Sequence, residues 1–87
     1  MLDRQKNIIR ALLQSLHEVD GGPVAETILH AAVNVKVQPA AMLSEFEEAL
    51  CFCETSRWLT GIRGKLGTDK WSLTDAGEVA RREIRNA

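Results

Sequence analysis

The chain has 87 residues, with 11 Lys and Arg against 12 Asp and Glu for a net charge of −1, 45% hydrophobic residues and 26% charged ones. That length leaves one modest core and no room for a separate catalytic domain, the apolar content excludes disorder as the dominant state, and the near-neutral balance gives the molecule as a whole no reason to concentrate on a polyanion. No apolar run approaches the ~18 residues of a membrane span and the stretch Met1 to Lys6 lacks the apolar segment of a signal peptide, so the expectation is a cytoplasmic protein without membrane contact.

In chain order, Ile8, Ile9, Leu12, Leu13, Leu16 and Val19 recur at three- and four-residue spacing, while Arg4, Lys6, Arg10, Gln14 and Glu18 fall off that stripe. The spacing predicts an amphipathic helix over 3–19. Asp20-Gly21-Gly22-Pro23 ends it, since glycine costs backbone entropy and proline lacks an amide donor. A second helix is expected over 24–33, with Ala25, Ile28, Leu29 and Ala32 facing inward and Val24 touching the sheet first as a very short strand. Residues 33–39 alternate like a strand but sit where two helices must be joined, and they read as an extended connection.

Ser44-Glu45-Phe46-Glu47 has the form of a capping box, in which the serine oxygen accepts from a backbone amide and the glutamate reaches back. The third helix is therefore expected from near Ser44, or one turn earlier after Pro39, to Ser56. Segments 57–63 and 70–74 are short and rich in aromatic and β-branched residues, and they flank the turn-forming stretch 64–69, which predicts a β-hairpin. Thr74 or Asp75 then caps a last helix running to Arg85, with Ala76, Val79, Ala80 and Ile84 as its apolar stripe.

Three helices, a hairpin and a closing helix make an α+β, mainly α architecture, the winged helix, expected here to occupy residues 1–87 as a single domain. Two stretches carry a closer likeness. Glu54-Thr55-Ser56-Arg57-Trp58-Leu59 has a glutamate, a short turn and an apolar strand start, and Leu73-Thr74-Asp75-Ala76-Gly77 fits a Leu-Thr-x-x-Gly pattern. On these residues the stretch 44–80 resembles bacterial winged-helix proteins such as the MarR and PadR regulators. The pattern makes physical sense if Leu73 enters the core, Thr74 caps the helix and Gly77 permits close packing. The resemblance implies DNA binding, with the third helix in the major groove and the wing reaching toward phosphates or the minor groove.

Charge divides those two elements. At 100° per residue, Met42, Leu43, Phe46, Ala49, Leu50 and Cys53 share one side of the third helix; Ser44, Glu45, Glu48 and Cys51 share the other, with Glu47 and Phe52 at its margins. Between Gln38 and Ser56 there are four glutamates and no Lys or Arg, the opposite of what base readout beside phosphates needs. The hairpin carries Arg57, Arg63, Lys65 and Lys70 against Asp69. These cations would contact double-stranded DNA weakly and with steep salt dependence; as a solvated hairpin they would instead guard an edge strand from pairing. Arg81, Arg82 and Arg85 add a basic cluster near the end of the last helix, where cations suit the helix dipole.

Cys51 and Cys53 are the only cysteines. Two residues apart on a helix they point ~200° apart, so they read as free thiols, Cys53 in the core, and not as one metal site with His17 or His30. Trp58 and Trp71 read as packing of the hairpin on the helices. Neither catalytic constellation, metal nor cofactor is expected. Two functions follow. One is a DNA-binding or DNA-associated regulator using Arg57, Arg63, Lys65 and Lys70. The other is a protein-interaction module in which Glu45, Glu48, Cys51 and Phe52 dock on a protein partner or on a second copy as a homodimer.

Overall fold

An apolar stripe as wide as that of residues 8–16 needs partners on more than one side. In the computed structural model, which describes residues 3–64 and 69–86, helix α1 (Asp3–Glu18) buries Ile8, Ile9, Leu12, Leu13 and Leu16. It lies against α2 (Glu26–Lys36), α3 (Leu43–Thr55) and α4 (Asp75–Asn86). Leu29 and Val33 from α2, and Phe46, Ala49, Leu50 and Cys53 from α3, complete the helical part of the core. Strands β1 (Val24–Ala25), β2 (Leu59–Ile62) and β3 (Lys70–Leu73) form an antiparallel sheet in the order β1-β3-β2. Leu59 pairs with Leu73 and Gly61 with Trp71 on one edge of β3, and Val24 pairs with Trp71 on the other. This is the winged-helix order, with Val24 in the short strand expected of it.

The closing helix is held as the Leu-Thr-x-x-Gly pattern implies. Thr74 Oγ1 accepts from the Gly77 amide at 3.0 Å and donates to the Arg57 carbonyl at 2.7 Å. One side chain thus caps α4 and ties it to the turn before the wing. That turn needs a left-handed residue, and Arg57 supplies it at φ 64°.

The expectations for α2, α3 and α4 are corrected in detail. Helix α2 runs Glu26–Lys36 and absorbs part of the stretch read as an extended connection. Val33 on the helix and Val37 at its extended C-cap, whose amide still donates to the Val33 carbonyl, are both buried, so their alternation with exposed Val35 came from two periods that coincide over short spans. Because Leu29 and Val33 set the rotation of α2, Ile28 lies about 100° outside it and is exposed. The cap of α3 sits two residues earlier than Ser44: Met42 is the N-cap and its amide donates to Glu45 Oε1 at 3.0 Å. Met42 and Leu43, placed inward by the helical wheel, are exposed at that end. On α4 the inward positions are Gly77, Ala80 and Arg81, while Ala76 and Val79 face out.

Candidate functional site

The cleft between α3 and the wing is built around Trp71. The β3 register sets it opposite Gly61, where a Cβ would stand 2.9 Å from the indole Cζ3 and 3.1 Å from Glu54 Oε2. The absent side chain lets the ring lie across β2 and brings α3 up to the strand. Trp71 is buried, and its indole N–H donates to Glu26 Oε1 at 3.1 Å, giving the one polar atom of the ring a partner. Arg63 lies two residues beyond Gly61 and projects to the same side. Its guanidinium is 5.0 Å from the Trp71 ring centroid, Nη2 donates to both Glu54 oxygens at 3.0 and 3.1 Å, and Nη1 donates to Asp69 Oδ2 at 3.3 Å. Asp69 Oδ1 also accepts from the Gly64 amide at 3.2 Å.

The result is an open groove of about 350 Å³ with Glu47, Leu50 and Cys51 on its α3 wall. Among the described residues it presents four carboxylates, Glu26, Glu47, Glu54 and Asp69, to one guanidinium, Arg63. Arg63 is thus held between two acids and over an aromatic face, and the described lining keeps a negative balance.

The cations expected to form one phosphate-binding set occupy separate places. Arg63 lines the cleft, as above. Lys70 is exposed one residue before buried Trp71, on the opposite face of β3. Arg57 is exposed at the other end of the hairpin, in the turn between α3 and β2. Lys65 lies outside the described residues. Of the C-terminal cluster, Arg81 is buried: Nε and Nη2 bond to Glu78 Oε1 at 2.8 and 2.7 Å and Nη1 to Gln14 at 3.3 Å.

The residues expected on a partner-binding face of α3 also separate. Glu45 is a structural latch, accepting from Arg4 Nε and Nη2 at 3.0 and 3.1 Å while it caps the helix. The hydrogen bonds from Arg4 and from the Met42 amide hold its carboxyl below the usual range. Glu48 lies with Glu45 beside Gln5 and Ile8 of α1. Phe52 is half-buried with its ring edge-on to Trp58 at 5.6 Å, leaving little of it for a partner. Only Cys51 of this set reaches the cleft. Glu26, Glu54 and Asp69 were not in either expected set; the signal for them was the strand alternation that sends Gly61 and Arg63 to the α3 side.

Elsewhere, Cys53 is buried and desolvation pushes its thiol up to about 12, and Ser15 satisfies its hydroxyl on the Ala11 carbonyl at 2.7 Å. Among the described residues no group of three His, Cys, Asp or Glu side chains is arranged to hold a metal ion, and no helix is long and apolar enough to cross a membrane.

No protein-family model and no curated protein matches the chain. Among solved structures the chain is similar to that of SSV1 F-93, with a TM-score of 0.66 and 15% sequence identity over 99% of this chain and 86% of that one. The likeness supports the winged-helix fold, while the resemblance to MarR and PadR regulators rests on its motif residues alone.

Proposed function

We propose that this chain is a cytoplasmic winged-helix interaction module, non-catalytic, whose α3–wing cleft receives a cationic segment of a protein partner. The observation that carries the reading is the concentration of Glu26, Glu47, Glu54 and Asp69 around one guanidinium on the face that a DNA-reading winged helix would turn to phosphates. Carboxylates there oppose a polyanion and attract a Lys- or Arg-rich partner, and a cleft with low-dielectric walls focuses that field. Arg63, exposed on the wing side of the groove, bonds to Glu54 and Asp69 and holds those two acids in place.

DNA association is a second reading, favoured by the winged-helix fold itself and by Arg57 and Lys70, which are exposed and form no ion pair among the described residues. Many functions share this scaffold, so the charge on the binding face decides between them. Fluorescence anisotropy with a labelled Lys- and Arg-rich peptide and with a mixed-sequence duplex, at about 50 and 200 mM salt, separates the two. The interaction reading expects the peptide to bind, with affinity falling as salt rises and falling again in the E47Q/E54Q double variant, and the duplex to stay free. Duplex binding at the lower salt, with a slope reduced by about one unit in Lys70→Ala and no peptide binding, would replace it with the DNA reading.

A further inference from the structure

A second groove has the opposite charge. Arg4, Asn7, Ala11 and Gln14 recur at three- and four-residue spacing and so share one side of α1, with Arg10 bordering them. The chain from Lys36 to Pro39 lies across from that side. Between the two runs an open groove of about 460 Å³, whose described lining holds Arg4, Arg10 and Lys36 and no carboxylate. It shares no residue with the acidic cleft.

Arg4 joins the two walls: Nη1 donates to the Pro39 carbonyl at 2.8 Å and Nη2 to the Ala40 carbonyl at 3.2 Å, while Nε and Nη2 also reach Glu45 at 3.0 and 3.1 Å. A guanidinium carries five N–H groups and an ammonium three. Four bonds leave Arg4 one donor on Nη1; Lys36, bonded to Glu18 at 2.9 Å, keeps two. Arg10 is exposed and forms no ion pair among the described residues. The two acids that share charge with the groove stand at its ends. Glu45 lies with Gln5, Ile8 and Glu48 on the far side of Arg4, and Glu18 follows Gln14 by one turn.

We propose that this groove binds a short, extended, Asp- and Glu-rich segment of a protein partner. From Arg4 to Gln14 the α1 wall runs about 15 Å at 1.5 Å per residue, the length of about five extended residues at ~3.3 Å each. Cations spaced along that length suit carboxylates carried in a row, whereas a compact anion reaches one of them at a time. A nucleic-acid strand, charged throughout and longer than the groove, would run onto Glu45 at one end and Glu18 at the other. The proposal stands apart from the reading of the cleft, because the two surfaces are separate and opposite in sign.

The test is fluorescence anisotropy with a labelled five-residue Asp/Glu peptide, a labelled single-stranded oligonucleotide and inorganic phosphate as competitor, at about 50 and 200 mM salt. The peptide should bind, more weakly at the higher salt, with the oligonucleotide staying free and phosphate competing poorly. Arg10→Gln should weaken the peptide about two- to fivefold, the effect of one screened surface ion pair. The Arg10→Glu/Gln38→Glu double variant, changed at two exposed positions and checked for fold by circular dichroism, should not bind it. In a ¹H–¹⁵N spectrum the peptide should move the side-chain amides of Asn7 and Gln38 and leave the Trp71 indole in place. No peptide binding by the wild type at the lower salt, equal binding by the double variant, or binding of the oligonucleotide in place of the peptide would overturn the proposal.

Discussion

Gly77→Ala tests how the closing helix is seated. At an open position inside a helix this change stabilises by about 1 kcal/mol, because alanine loses less backbone entropy. At Gly77 the new Cβ would collide with the Trp58 carbonyl oxygen and stand 2.7 Å from Leu73 Cδ1 and 3.0 Å from the Trp58 carbonyl carbon. The first of these is backbone that cannot simply turn aside, since that oxygen accepts from the Thr74 amide at 3.0 Å. Relief therefore means lifting α4 from the turn, which stretches both bonds of Thr74 Oγ1. Overpacking of this kind costs ~1–3 kcal/mol and a lost backbone hydrogen bond about 1 more; set against the propensity gain, the net is a destabilisation of ~1–3 kcal/mol. For a domain of this length each kcal/mol moves the Tm by ~4–8 °C. Thermal and urea unfolding followed by circular dichroism should show that fall, beside an Ala76→Gly control at the neighbouring exposed position, which should lose only about 1 kcal/mol. A Gly77→Ala protein as stable as its parent would refute the close seating of α4 on the Trp58 carbonyl.

The two thiols should differ sharply: exposed Cys51 reacts promptly with a disulfide reagent, whereas Cys53, buried and raised to about 12, reacts only when denaturant opens the core. Two equivalents of fast reaction in the folded protein would contradict that packing. Stability should also depend on acid. Glu18, Glu45 and Glu78 are held below the ordinary glutamate value of 4.5, chiefly by hydrogen bonds from Lys36, Arg4 and Arg81 respectively. A carboxylate whose folded value is depressed contributes stability that is present above its unfolded value and is lost as pH falls through the folded one. The urea midpoint should therefore hold steady down to about pH 5 and decline below 4.5; a midpoint that rises on acidification from pH 5 to 3 would contradict it.

What the sequence made legible was local. The α1 stripe from Ile8 to Leu16, the hairpin strands, the short strand at Val24 and the Thr74 cap each depend on residues within a few positions of one another, and each stands in the structure where the pattern puts it, while Val19, expected to end the stripe, lies past the helix and is exposed. The misreadings arose where two local patterns competed. Ser44 with Glu47 and Met42 with Glu45 offer the same cap spacing, and the choice goes to Glu45 because Arg4, 41 positions away, grips it. The alternation of Val33, Val35 and Val37 fits a strand and an i,i+4 helical pair equally well. The cleft was the least legible part, since Glu26 meets Trp71 across 45 positions and Arg63 meets Glu54 only once the strand faces are assigned. A count of charges along 57–71 shows a basic wing; folding pairs one of its arginines, Arg63, with two acids.

The indole N–H of Trp71, bonded to Glu26 inside the cleft, reports on that face directly, and Trp58 against Phe52 supplies an internal reference. In a ¹H–¹⁵N spectrum, adding a Lys- and Arg-rich peptide should move the Trp71 indole and the Cys51 amide while leaving the Trp58 indole in place, and adding duplex DNA should move none of them. If the duplex shifts Trp71 and Cys51 and the peptide does not, the cleft is a phosphate-facing surface and the account given for it is wrong.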